Sequence, residues 1–355
     1  MTDLLLLVGG LVGLVVGAEL LVRGASRLAL SFGISPLVVG LTIVAFGTSA
    51  PEMTVSVGAV LKGQTGLALG NAVGSNIFNV LGILGLAALI TPLAVHLQVI
   101  RQEVPIMIGA ALLVMVMSLD GSFSLFDGLL LTSLLLAYTL FLVRQSRAQG
   151  AEAGDYAAHA DSGGSRLLQI GMLITGLALL VGGSEAMVTA AVGFARRLDV
   201  SEVVIGLTIV AVGTSLPEVA TSVTAALKGE RDIAVGNVVG SCVFNLLGVV
   251  GLGSLAAAFS GAGALPVPPA VAHFDLWVML AALAACLPIF LTGREVARWE
   301  GALFLAYYLA YAAYLVLRAQ AHDALTAFSG AMLGFVLPLT VVTVLVSTLR
   351  SQIQH

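Results

Sequence analysis

The chain has 355 residues, 59% of them hydrophobic and only 10% charged, with a net charge of −4 and a mean hydropathy of +1.08. Soluble domains are about half apolar and about a quarter charged, so this composition excludes an ordinary water-soluble fold. No basic stripe offers itself to nucleic acid, and the two cysteines, Cys242 and Cys286, both in apolar segments, supply neither a disulfide framework nor a metal-site spacing.

Apolar runs long enough to cross a hydrocarbon core of about 30 Å recur from end to end, whereas the short alternating segments of a β-barrel are absent. The first run begins at Leu4 with no basic region before it and no small-residue cleavage site after it, so it reads as a retained span. In chain order, the predicted spans cover 4–22, 36–61, 66–92, 104–119 and 125–143, then 167–191, 202–227, 233–258, 273–292 and 299–317. A further apolar run at 324–349 predicts an eleventh helix. Between the two sets, the polar segment from Arg144 to Arg166 is rich in small residues and reads as a linker. The expected division is therefore 1–143, 144–166, 167–318 and 319–355. Placing the N-terminus outside puts eleven Lys and Arg residues on the cytoplasmic side and four outside, the bias expected for cytoplasmic loops.

Displaced by 166 positions, the chain matches itself without gaps. GISPLVVGLTIVAFGTSAPEMTVSVGAVLKG from Gly33 lies over DVSEVVIGLTIVAVGTSLPEVATSVTAALKG from Asp199. GNAVGSNIFNVLG from Gly70 lies over GNVVGSCVFNLLG from Gly236. The repeat holds five spans, and an odd number turns the second copy over relative to the first. The expected fold is all-α and polytopic: two inverted five-helix repeats, ten core helices, plus the eleventh. Inverted repeats are the architecture of secondary transporters, whose sites form at mid-membrane from interrupted helices of both halves.

The second and seventh spans contain what an apolar helix should exclude. Pro51 has no N–H and its ring clashes with the Gly47 carbonyl four residues back, so that carbonyl and neighbours such as Ala45 are expected to leave the helix ladder. Such backbone is tolerated at this depth only against protein or a wet cavity. With the hydroxyls of Thr48 and Ser49 and the carboxylate of Glu52, the donors are all oxygen. The mirrored set is Ala211, Thr214, Ser215 and Glu218. Ser75 and Asn79 on the third span, and Ser241 and Asn245 on the eighth, are four residues apart and so share a helix face. All-oxygen ligands suit hard cations such as Ca²⁺, and no histidine falls within the repeated motifs. Two central carboxylates balance one divalent ion, and a site that keeps them close releases one cargo only as another cation or proton replaces it. Glu19, with Arg23 one turn on, reads as a helix-end ion pair; it and its counterpart Glu185 are candidates for gating. Glu103, Asp127, Asp275 and Glu300 fall near span ends and are expected to be solvated.

At these residues the chain resembles the calcium/cation antiporter superfamily, and within it the sodium/calcium exchangers of prokaryotic type. The paired GTSxPE and GNxxGSxxxN segments look like that family's two α-repeats, and the likeness covers residues 1–318. It implies ion sites between the second, third, seventh and eighth helices, with the first and sixth helices as a mobile unit for alternating access. It implies ligand roles for Glu52, Glu218, Thr48, Ser49, Thr214, Ser215, Ser75, Asn79 and Ser241, and for the carbonyls of Ala45 and Ala211. Where some relatives, including the potassium-dependent branch, carry Asp, this chain has Asn245, one carboxylate fewer, which argues against potassium co-transport. The short linker has no room for a cytosolic calcium-sensing domain.

The expected function is Na⁺/Ca²⁺ antiport across a prokaryotic inner membrane, normally expelling Ca²⁺, without a prosthetic group. H⁺/Ca²⁺ antiport stands beside it, because two glutamates exchange protons as readily as sodium; a cation channel is the reading from another class. Neither motif contains a histidine base for Ser49 or Ser215, so no enzymatic activity is expected. The expected partners are inorganic cations and the lipid bilayer, with a monomer sufficient for transport.

Overall fold

The computed structural model describes residues 2–32, 34–152, 166–197 and 211–353. Its helices are α1 (Thr2–Phe32), α2 (Pro36–Leu61), α3 (Thr65–Ile90), α4 (Val99–Asp120), α5 (Leu125–Glu152), α6 (Arg166–Arg197), α8 (Arg231–Phe259), α9 (Val271–Leu291), α10 (Arg298–Ala319) and α11 (Ala324–Val344). These ten are long and apolar enough to cross a membrane. The seventh, α7, is described as two segments, Ala211–Thr214 and Leu216–Leu227; the first part of its predicted span, 202–210, lies outside the described residues.

Two helices run about nine or ten residues past their predicted ends, each for its own physical reason. Beyond Val22, α1 keeps an apolar face, with Ala25, Leu28 and Ala29 buried, while Arg23 and Arg27 point outward. The helix therefore continues to Phe32 as an amphipathic extension. By contrast, α5 carries on through the first residues of the predicted linker to Glu152, where Arg, Gln and Ala favour helix. Ser146 on that extension is buried and accepts the Ser35 N–H at 3.0 Å. Ser35 in turn caps α2, accepting from Val38 N–H at 3.3 Å, with Pro36 at the first helical position.

Two short antiparallel ribbons demonstrate the inversion. Leu93–Ala94, after the third helix of the first half, pairs with Glu295–Val296, after the fourth helix of the second half. Ser122–Phe123, after the fourth helix of the first half, pairs with Leu265–Pro266, after the third helix of the second. Each pairing requires the two loops to share a side of the membrane. Loops separated by an odd number of spans within their repeats do so only when one repeat is turned over.

Burial sorts the helices by role. α2, α3 and α8 are the most enclosed, and α1, α5, α6 and α11 present runs such as Leu4, Leu5, Val8, Leu11 and Val12 outward, as lipid-facing surfaces do. α11 lies against α9 and α10, where Tyr307 donates to Thr340 Oγ1 at 2.6 Å. α1 and α6 pack through glycine: a Cβ on Gly17 would stand 2.8 Å from the Gly176 carbonyl, and one on Gly10 would stand 2.6 Å from the Gly183 carbonyl. Small residues let membrane helices approach this closely.

The acidic residues near span ends are not simply solvated. Glu103 is fully buried and accepts from Tyr138 Oη at 2.8 Å, Gln98 at 3.0 Å and Gln102 at 2.7 Å. Glu300 is buried and accepts the Ala297 N–H at 2.8 Å, closing the start of α10. Half-buried Asp275 accepts from Tyr311 at 2.9 Å, and half-buried Asp127 accepts from both the N–H and the hydroxyl of Ser124 at 2.7 Å. In each case the sequence showed the charge but not the donors that fold around it.

The glycine crossing predicts an asymmetry between neighbouring positions. Gly17→Ala forces α1 off α6 and lowers stability by about 1–3 kcal/mol, the usual cost of overpacking. Gly9→Ala, where a Cβ meets nothing within 4 Å, leaves stability unchanged or slightly raised. Equilibrium unfolding of the purified proteins in detergent measures both; an unchanged midpoint for Gly17→Ala contradicts the packing described.

Candidate cation site

Both GTSxPE motifs break their helices at the same residue. α2 runs through a widened turn at Gly40–Val44, a short segment Ala45–Thr48, and then Ser49 at φ −83° and ψ 1° before resuming as Ala50–Leu61. α7 breaks at Ser215, φ −93° and ψ 10°, between Ala211–Thr214 and Leu216–Leu227. Pro51 and Pro217 sit in the first turns of the resumed helices, where a missing N–H costs nothing. Glu52 and Glu218 occupy those same first turns, so each carboxylate stands at a helix N-terminus whose dipole favours negative charge.

The freed backbone differs in part from expectation. The Gly213 carbonyl, four residues before Pro217, accepts the Ser184 hydroxyl at 2.5 Å, so the released group is claimed by α6. The Ala45 carbonyl stays in the ladder, accepting Ser49 N–H at 2.9 Å. Pro51 removes the donor for Gly47, not for Ala45, and so any ligand role at Ala45 falls to its second lone pair. Ala211 opens the described part of α7.

The halves interlock through hydroxyl and carboxylate. Ser215 donates to Glu52 Oε1 at 2.9 Å, and Ser49 donates to Glu218 Oε1 at 3.2 Å. Ser75 lies 3.4 Å from the Ser215 hydroxyl. Thr214 stands beside Glu52, and Thr48 beside Glu218. Both carboxylates are only 1% exposed, and the second oxygen of each, Oε2, is buried with no hydrogen-bond partner. The Ser241 hydroxyl and both amide atoms of Asn79 and Asn245 are likewise buried without a hydrogen bond. Buried polar atoms normally find partners, and the unpartnered oxygens here, from two carboxylates, one hydroxyl and two amides, are a donor set that suits a hard cation.

Asn79 and Asn245 each sit one residue into a widened helical turn, at Phe78–Leu84 and Phe244–Val249. Regular helical spacing foresaw the shared face with Ser75 and Ser241; the widened turn, a frequent companion of functional sites, re-aims the asparagine and carried no sequence signal. Four further buried or half-buried polar residues in the cluster were not singled out from sequence: Ser56, Asn71, Ser222 and Asn237. The signal was available, because Ser56 maps onto Ser222 and Asn71 onto Asn237 at the same 166-residue displacement. Among the described residues no three His, Cys, Asp or Glu side chains gather with metal-binding spacing. A cation here would be held by two carboxylates and neutral oxygens.

Glu19 and Glu185 lie apart from this network. Glu19 pairs with Arg23 on its own helix and with Lys228 at the end of α7, a partner that sequence did not reveal. Glu185 is exposed.

Residues 2–144 and 168–317 match the family model described as sodium/calcium exchanger protein. The inner membrane protein YrbG of Escherichia coli is 42% identical over 255 residues, covering 70% of this chain and 78% of YrbG. The sodium/calcium exchanger MaX1 of Methanosarcina acetivorans is 33% identical, covering 87% of this chain and 97% of that protein. Among solved structures, the sodium-calcium exchanger NCX_Mj soaked with Na⁺ and Ca²⁺ superposes with a TM-score of 0.75 at 31% identity, covering 87% of this chain and 97% of that one. The family model takes in both halves, each with its helix break and its carboxylate, and the chain belongs to the sodium/calcium exchanger family.

Proposed function

We propose that this protein exchanges Na⁺ for Ca²⁺ across a prokaryotic inner membrane by alternating access, normally expelling Ca²⁺. The chain is a multi-pass transporter and not an enzyme. One observation carries the finer reading: two buried carboxylates from inverted halves are surrounded by neutral oxygens, of which Ser241, Asn79 and Asn245 make no hydrogen bond. Ca²⁺ takes about six to eight oxygens, more than two carboxylates supply, so the neutral oxygens serve Ca²⁺ and are then available to the ion that replaces it. Hydroxyl and amide oxygens do not titrate, but they do ligate Na⁺. In this reading Glu52 and Glu218 supply the charge that balances one Ca²⁺. Thr48, Ser49, Thr214, Ser215, Ser75, Asn79, Ser241 and Asn245, with the carbonyls of Ala45 and Ala211, supply the remaining oxygens. Asn245 in place of a carboxylate keeps the site at two negative charges and supports exchange without K⁺.

A broken symmetry supports one direction of access. α1 packs along the Leu216–Leu227 segment of α7, and Glu19–Lys228 and a 3.0 Å hydrogen bond from Ser26 to Glu230 tie that seam. The 166-residue counterpart, α6 against Ala50–Leu61, has no comparable packing, and Glu185 forms no ion pair with Lys62, the counterpart of Lys228. With the N-terminus outside, the closed seam is cytoplasmic. We assign Glu19 and Glu185 gating roles: in the opposite state the mirrored pair Glu185–Lys62 closes while Glu19–Lys228 opens.

Two outcomes test these readings. Proteoliposomes loaded with Na⁺ take up Ca²⁺ when the Na⁺ gradient is imposed, with no requirement for K⁺, and Glu52→Gln or Glu218→Gln abolishes uptake while the protein still folds. Uptake driven by a pH gradient in the absence of Na⁺ supports H⁺/Ca²⁺ exchange instead. For the gates, thiol cross-linkers joining cysteines at 19 and 228, or at 62 and 185, each arrest exchange until cleaved. Failure of the 62–185 pair to cross-link in active membranes contradicts the mirrored gate.

A further inference from the structure

The two halves are tied by a second set of contacts, which involves four residues outside the candidate ligand set. Thr48 Oγ1 donates to Asn237 Oδ1 at 3.1 Å, and Asn237 Nδ2 donates to Ser222 Oγ at 2.9 Å. In the mirrored position Thr214 Oγ1 donates to Asn71 Oδ1 at 3.4 Å, and Asn71 Nδ2 donates to Ser56 Oγ at 3.1 Å. Asn71 Nδ2 also reaches the Glu52 carbonyl at 3.4 Å. All six residues are related in pairs by the 166-residue displacement, so the same relay, threonine to asparagine to serine, is built twice and crosses the interface between repeats twice.

We propose that Asn71 and Asn237 are positioning residues that set the proton direction of Thr214 and Thr48, turning each threonine oxygen's lone pairs towards the cation. This rests on the site reading above. A hydroxyl has one proton and two lone pairs, so it ligates a cation only when its proton points elsewhere. Three acceptors surround the Thr48 hydroxyl: the Ala45 carbonyl at 3.4 Å, the neighbouring Glu218 carboxylate, and Asn237 Oδ1 at 3.1 Å. Donation to Glu218 directs the proton into the site and opposes cation binding. Donation to Asn237 directs it out. The asparagine amide suits the task because its two ends differ. Oδ1 accepts from threonine, while Nδ2 donates to serine, and for Asn71 also to a backbone carbonyl that can only accept, which fixes the orientation of the amide. An aspartate at these positions would accept the threonine proton but add negative charge to a site balanced at two. A leucine would leave the proton to Glu218.

Two serines complete the relay. Ser222 and Asn237 are fully buried, as is Ser56, so the Asn237 amide is held by protein and not by solvent, while Asn71 is half-buried. The exchange of asparagine between halves also means that each threonine is oriented by the repeat it does not belong to.

The test is a double-mutant cycle on equilibrium ⁴⁵Ca²⁺ binding to the purified protein. Asn237→Ala and Thr48→Val each weaken Ca²⁺ binding by about three- to tenfold, the worth of one buried hydrogen bond. The double variant binds no more weakly than Thr48→Val alone, because both changes act through one hydroxyl. Thr48→Val combined with Asn71→Ala, which acts on the other threonine, multiplies the two losses. Ser222→Ala, a milder change that only loosens the amide, costs about twofold, and that cost disappears in the Thr48→Val background. If the losses from Asn237→Ala or Ser222→Ala instead multiply with Thr48→Val, the asparagine serves packing alone and the proposal falls. Wild-type protein that binds no Ca²⁺ overturns the site reading itself.

Discussion

A carboxylate carried to the middle of a bilayer costs about 2.5–3.5 kcal/mol on insertion scales, and this chain buries two in the same place, Glu52 and Glu218, each 1% exposed. The surrounding architecture answers that cost in parts. Each glutamate sits in the first turn of a resumed half-helix, where the backbone dipole is favourable, and each accepts a hydroxyl from the opposite repeat, Ser215 or Ser49. Neither half completes its own carboxylate's surroundings. The duplication is therefore a structural requirement of the site as well as a trace of its origin.

The inversion that brings the two motifs face to face also makes the molecule two-sided. Mirror-related ribbons join the halves on opposite faces, while the seam between α1 and α7 is closed and its counterpart is not. In the proposed exchange cycle, the opposite state arises when the repeats trade conformations. The glycine contacts between α1 and α6 bring those two backbones into close contact, which suits the paired mobile unit of the proposed cycle.

Much of this was legible in the sequence because it depends on spacing. The 166-residue displacement, the odd number of spans and the proline beside a glutamate foreshadowed the inverted fold and the paired helix breaks. What escaped depends on neighbours distant in sequence. Lys228 stands 209 residues beyond Glu19, its ion-pair partner, and the hydroxyl of Ser184 claims the carbonyl released at Gly213. Glu103 and Glu300 looked solvated near span ends, yet side-chain and backbone donors enclose them. Asn71 and Asn237 were overlooked for another reason: they stand in glycine-rich stretches that read as close-packing surfaces, and their amides acquire meaning only opposite a threonine from the other half.

The central claim is that the two carboxylates form one shared cation site. Counting bound Ca²⁺ on the purified chain by equilibrium dialysis tests it directly. The account predicts one high-affinity Ca²⁺ per chain, lost entirely when either glutamate alone is replaced by glutamine. Two ions on the wild type, with one retained in each single variant, would contradict it.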